Sequence, residues 1–299
     1  MIDYHEHFQS VKSDLSKLLE ARRKSNYKDE RAVQKFIEKN PYCLISALDG
    51  IEANYSFFGN CIISQPKIKS YDGDRVPDFL IVTRNSLNLY FNFIEIEDPS
   101  KKIFKRKRQG LTSDFFQAYH QLKEWKSFSK NEISNYCEDL LNTLFKDNFN
   151  NTPEKHIHYN YVLIYGFSSE ILELGPRYND VLQDYFDHKN VKHSTFSRLI
   201  NNLRFEQPFF TIKKDVQSNK FRAIGCTPFR KYGIDEWSEF HNIIGKEEII
   251  SESVFFTNEE KEKLKNQISN LDNKSRSEIN EIVMGSDGIS VTNLNDIDL

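Results

Sequence analysis

Three carboxylates are spaced so that they can surround one divalent metal ion. Asp78 follows Pro77 at the start of one apolar run, and Glu95 and Glu97 close the next, Phe93-Ile94-Glu95-Ile96-Glu97. Between the runs lies Asn85-Ser86-Leu87-Asn88, a polar interruption suited to the loop of a hairpin. A loop centred between Ser86 and Leu87 places Asp78 opposite Glu95. Side chains alternate along a strand, so Phe91, Phe93, Glu95 and Glu97 take one face and Tyr90, Asn92, Ile94 and Ile96 the other. Carboxylates gathered this closely repel one another and resist ionisation unless a cation or a shared proton is present. Mg²⁺, or Mn²⁺ in its place, suits them. Such an ion takes oxygen ligands from one or two carboxylates, keeps several waters and draws phosphate oxygens into the remaining positions. The pattern suggests a nuclease; an ordinary hairpin whose acidic end points into solvent is the other reading.

A basic run follows the acidic strand directly. Lys101, Lys102, Lys105, Arg106, Lys107 and Arg108 would lie where a phosphodiester must approach, and would attract nucleic acid by releasing its counterions. Taken alone, the run also reads as a solvated loop. The formal net charge of −3 does not mark the entire chain as a nucleic-acid binder. Glu30 opens a helix predicted from near Asp29 to before Asn40-Pro41, where a negative charge complements the helix dipole; it is also placed to serve as an outer carboxylate of the metal site. Gln121 and Trp125 share one face of a helix predicted over 113–128.

These residues together resemble a known family. Pro77-Asp78-Phe79-Leu80-Ile81, then Phe93 to Pro99, Ile103-Phe104, Gly110, Ala118 and Gln121-Leu122-Lys123-Glu124-Trp125 look like the core of the Shedu antiphage proteins. Upstream, Glu30 to Pro41 resembles the helix that precedes this core. The similarity runs from about Glu30 to about Asn202. It implies a restriction-endonuclease-like, PD-(D/E)xK fold: an α/β mixed sheet flanked by helices. It also implies a Mg²⁺- or Mn²⁺-dependent DNA endonuclease in antiphage defence. Asp78 and Glu95 would be the primary metal ligands. The superfamily's third position is a water-activating lysine, whereas this chain has Glu97 followed by Asp98. Lys101 or Lys102 would then take the cationic role, or Glu97 would act as a further ligand or base, or the site is weakened. Gln121 resembles the glutamine of a Q-x-x-x-Y pattern, with Trp125 as the aromatic. Family members form homo-oligomers, which implies a tetramer here.

Around this core the sequence divides into an N-terminal helical element (1–27), the nuclease core (28–204) and a C-terminal α+β appendage (205–299) with a mobile tail from about 285. Tyr4, Phe8, Val11, Leu15, Leu18 and Leu19 predict an amphipathic helix near 4–24. Strands are predicted at 61–65, 77–84, 89–97, 160–167 and 191–196, a helix over 176–186, and a hairpin over 209–224. Thr257 and Glu260 form a capping box for a later helix. The chain has 299 residues, enough for a sizeable core, with 24 Phe and 14 Tyr supplying large apolar areas. No apolar run is long enough to cross a bilayer, and Met1 to Ser10 is unlike a signal peptide, so no membrane partner and a cytoplasmic location are expected. Cys43, Cys61, Cys137 and Cys226 lack zinc spacing and read as reduced thiols; the pairs His5/His7 and His156/His158 lack a nearby third ligand. Two other functions remain open. One is a non-catalytic sensor of nucleic acid or phage protein that keeps the nuclease fold, and the other is a DNA repair nuclease.

Overall fold

The computed structural model describes residues 4–24, 30–51, 56–69, 73–85, 87–105, 110–127, 130–144, 156–186, 190–203, 210–218, 220–226 and 243–272. The expected amphipathic helix is α1 (Tyr4–Lys24), with Val11, Leu15 and Leu19 buried. α2 (Arg31–Lys39) buries Val33 and Ile37 and ends before Asn40-Pro41, because a residue preceding proline is driven out of the helical region. A fully buried 3₁₀ segment, Pro41–Leu48, follows; its continuous apolar run has no amphipathic period to announce it.

The strands are β1 (Ser56–Ser64), β2 (Phe79–Arg84), β3 (Asn88–Ile96), β4 (His156–Ile164), β5 (Val191–Ser194), β6 (Phe210–Lys214), β7 (Phe221–Cys226) and β8 (Ile243–Ile244). They form one mixed sheet in the order β5-β4-β3-β2-β1-β6-β7-β8. β1, β2 and β3 are antiparallel neighbours, while β3 with β4 and β4 with β5 are parallel. In the β2–β3 hairpin Phe79 lies opposite Ile94 and Leu80 opposite Phe93, the register expected from a loop centred after Ser86. One step outward, Asp78 faces Glu95. Gly166, at the end of β4, has φ of +68°, the left-handed turn that glycine permits.

Helices cover both faces. On one, Leu80, Val82, Phe91 and Phe93 pack with Phe115, Leu122 and Trp125 of α3 (Ser113–Ser127) and with Cys137 and Leu141 of α4 (Lys130–Leu144). On the other, Phe79, Ile81, Ile94 and Ile96 pack with α1, α2, the 3₁₀ segment and α7 (Phe196–Asn201). The fold is thus α/β, a mixed sheet between helical layers. α5 (Ser168–Leu174) and α6 (Pro176–Phe186) connect β4 to β5. β5 stops at Ser194, short of the expected Phe196, because the Thr195 side chain accepts a hydrogen bond from the Arg198 N–H and starts α7.

The C-terminal hairpin forms as β6 and β7, and β6 lies parallel to β1, so these strands continue the same sheet. α8 (Lys246–Glu252) and α9 (Asn258–Asp272) follow. The capping box is present, with Glu260 Oε2 accepting from the Thr257 N–H at 2.8 Å and Thr257 Oγ1 accepting from the Glu260 N–H at 3.3 Å. All four cysteines are buried free thiols. Among the described residues no helix is long and apolar enough to cross a membrane. The segment from 285 lies outside the described residues.

Candidate active site

The acidic groups meet at the strand ends in the middle of the sheet, where β2 begins and β3 ends. Asp78 is fixed by two backbone contacts: its Oδ2 accepts from the Ile96 N–H at 2.7 Å, and its carbonyl accepts from the Gln65 N–H at 2.8 Å. Glu95 Oε1 accepts from Gln121 Nε2 at 2.6 Å. Gln121 reaches it because Leu122 and Trp125 bury the inner face of α3 against the sheet. Glu95 Oε2 is buried and finds no side-chain partner among the described residues, the only further help to this carboxylate being the Asp78 N–H beside it.

Glu97 lies just past β3, where its N–H donates to the Ile164 carbonyl at 3.1 Å. Its buried carboxylate pairs with the Lys101 ammonium. A tight turn makes this possible: Asp98 Oδ1 accepts from the Ser100 N–H at 2.7 Å and the Asp98 carbonyl from the Lys101 N–H at 3.0 Å. Lys101 also lies 3.3 Å from Glu30 Oε1. Lys102 goes elsewhere, its Nζ 4.0 Å from Glu170 Oε1. Lys105 is exposed, and Arg106, Lys107 and Arg108 lie outside the described residues.

The loop carrying Lys101 is tied down by residues remote in sequence. Glu170 Oε2 accepts from the Ile103 N–H at 3.0 Å, and the Lys102 carbonyl accepts from Thr112 Oγ1 at 2.6 Å. A Cβ at Gly166 would stand 2.4 Å from Ile103 Cγ1, so glycine is what lets this loop lie on the end of β4. Asp98 carried a turn signal in Asp98-Pro99-Ser100. Glu170 had none, because its partner is 67 residues away.

Burial and mutual repulsion push the carboxyls of this site toward their neutral forms. Burial, then repulsion from Glu30, Glu97 and Glu38, raises the Asp78 carboxyl to about 7, against the Ile96 N–H, which favours the ionised form. Burial, then the charges of Asp78 and Glu97, pushes Glu95 well above its ordinary range. Glu97 is also raised, burial outweighing its bond to Lys101. Burial works against the Lys101 charge, yet the hydrogen bond and attraction to Glu97, with the pull of Glu30, leave its pKa raised.

This donor set fits a hard divalent cation. A buried carboxylate oxygen without a side-chain partner, beside a second carboxyl that resists ionisation, is what bound Mg²⁺ or Mn²⁺ would relieve. Asp78 and Glu95 would be the residues to hold one. Among the described residues no three His, Cys, Asp or Glu side chains converge as a ready-made ligand set. Mg²⁺ does not require one, since it keeps several waters. Glu97 and Glu30 are engaged with Lys101, His7 with Tyr42 at 3.2 Å, and His158 with Asn88 at 2.9 Å.

Residues 27–200 match the family described as Shedu protein SduA, C-terminal, a span that contains every residue placed at this site. No curated protein matches the chain.

Proposed function

We propose, from the premise that this chain belongs to the Shedu family, that it is a Mg²⁺- or Mn²⁺-dependent DNA endonuclease acting in antiphage defence. The observation that carries this reading is the buried Glu95 Oε2 next to Asp78, an oxygen pair poor in positive charge where the central strands β2 and β3 meet. A bound ion would activate water and polarise a phosphate oxygen. Asp78 and Glu95 would hold it, with the Ile96 N–H and Gln121 fixing their orientation. Lys101 supplies the positive charge that related nucleases take from the position of Glu97, and Glu97 anchors it. Its ammonium is placed to neutralise charge developing on a phosphate. Lys102, paired with Glu170, stabilises the loop. Lys105, with Arg106, Lys107 and Arg108, attracts the DNA backbone without reading sequence. Assembly as a homo-oligomer, a tetramer, completes the proposal on the family resemblance, and a cytoplasmic location completes it on the sequence's want of an apolar run long enough to cross a bilayer.

The test is incubation of pure protein with linear, circular and single-stranded DNA in Mg²⁺, Mn²⁺ or chelator. Cleavage should require metal and be abolished by Asp78→Ala and by Glu95→Ala in folded protein. Binding of DNA without metal-dependent cleavage would overturn the nuclease reading in favour of a sensor.

A further inference from the structure

We infer that Glu30 is a positioning residue, which holds Lys101 in the site together with Glu97 and does not itself bind the metal; this rests on the nuclease reading above. Glu30 is the N-cap residue of α2, yet its side chain makes no capping hydrogen bond. Its carboxylate reaches Lys101 instead, 71 residues away in sequence, at 3.3 Å. The burial gradient suits a clamp: the side chains of Glu97 and Lys101 are 9% and 17% exposed, and that of Glu30 is 48% exposed. An ammonium has three donors. Two carboxylates engage it, which leaves a donor for a phosphate oxygen.

The scaffold of this clamp is rigid on both sides. α2 is held to the sheet by buried Val33 and Ile37, and near its other end Glu38 Oε1 accepts from Ser64 Oγ at 2.5 Å. The turn bearing Lys101 is set by Asp98. With Glu97 alone, the four-carbon lysine stem would be free to swing about one contact. A second carboxylate from an independent element fixes the ammonium in one place, and orientation of this kind is worth large factors in rate.

The experiment is a double-mutant cycle on the full chain with Glu30→Gln, Lys101→Ala and the pair. Each is read by single-turnover DNA cleavage, by KM for DNA and by Mn²⁺ affinity in calorimetry, with Asp78→Asn as the control for a missing ligand. Glu30→Gln should lower the cleavage rate by about 10- to 100-fold with KM little changed. It should leave Mn²⁺ affinity within about threefold of the parent, since only a distant charge is removed. The double variant should be no slower than Lys101→Ala, because Glu30 acts through that lysine. A fall in Mn²⁺ affinity of about tenfold or more in Glu30→Gln would tie Glu30 to the metal, as a ligand or an outer-shell partner, and overturn the inference. Losses that multiply in the double variant, or an unchanged rate in Glu30→Gln, would likewise overturn the inference while leaving the nuclease reading intact. A parent protein that cleaves no DNA would bring down both.

Discussion

Asp78→Asn should stabilise the metal-free protein at alkaline pH and lose that advantage in acid. Burial and the neighbouring carboxylates raise this carboxyl from its ordinary 3.8 to about 7. Each unit corresponds to about 1.4 kcal/mol, so ionising Asp78 in the folded protein costs at most about 4 kcal/mol relative to the unfolded chain. Between about pH 4 and 7 the folded state retains a proton that the unfolded chain has released, so stability falls as pH rises through this window. Asparagine keeps an acceptor for the Ile96 N–H and never ionises. Proton sharing with Glu95 and local relaxation reduce the gain, which we expect to be about 1–2 kcal/mol near pH 8 and close to nil near pH 4. Urea denaturation in chelator, followed by circular dichroism across this range, measures it. Mn²⁺ at about 100 times its Kd should add about 2.7 kcal/mol to the parent and little to the variant, reversing their order. A variant less stable than the parent at about pH 8 in chelator, or a difference that does not vary with pH, would refute the view that these acids are strained without a cation.

Two further outcomes follow from the same geometry. Glu97→Gln and Glu97→Lys should both reduce cleavage by about tenfold or more, the first by releasing Lys101 and the second by repelling it and any metal; a Glu97→Lys protein that cuts faster than the parent would mark the site as a degraded lysine motif. Neutralising Lys105, Arg106, Lys107 and Arg108 should flatten the dependence of log K for DNA on log salt by about 0.9 for each phosphate that is no longer neutralised, with Mn²⁺ affinity unchanged; an unaltered slope would assign the loop to solvent or to a protein contact.

The facing of Asp78 and Glu95 was legible because a hairpin's register is set locally by its loop, whereas the Gln121 contact with Glu95 was not, since a helix face does not name the strand residue it meets. α4 was not predicted, although Ile133, Cys137, Leu140, Leu141 and Leu144 recur at helical spacing and could have announced it. The choice between Lys101 and Lys102 was not legible. Adjacent residues differ there only through Asp98, which turns the chain, and Glu170, a distant residue that draws Lys102 aside. The link from Glu30 to Lys101 is hidden for the same reason: it joins a helix start to a loop that only the folded sheet brings near.

The pairing of β6 with β1 separates the stretch recognisable by homology from the stretch able to fold. The family match ends at residue 200, but the hydrogen-bonding partner for β1 at Cys61 to Ser64 is supplied by Phe210 to Lys213. Phe210, Ile212, Phe221 and Ala223 are buried in the same apolar cluster as Leu80 and Phe93 beneath the site. A protein cut at the homology boundary would present β1 as a bare, apolar strand edge, a template for intermolecular pairing and aggregation. The strands that follow the family match therefore cover an edge and complete the apolar cluster of the core that carries the site.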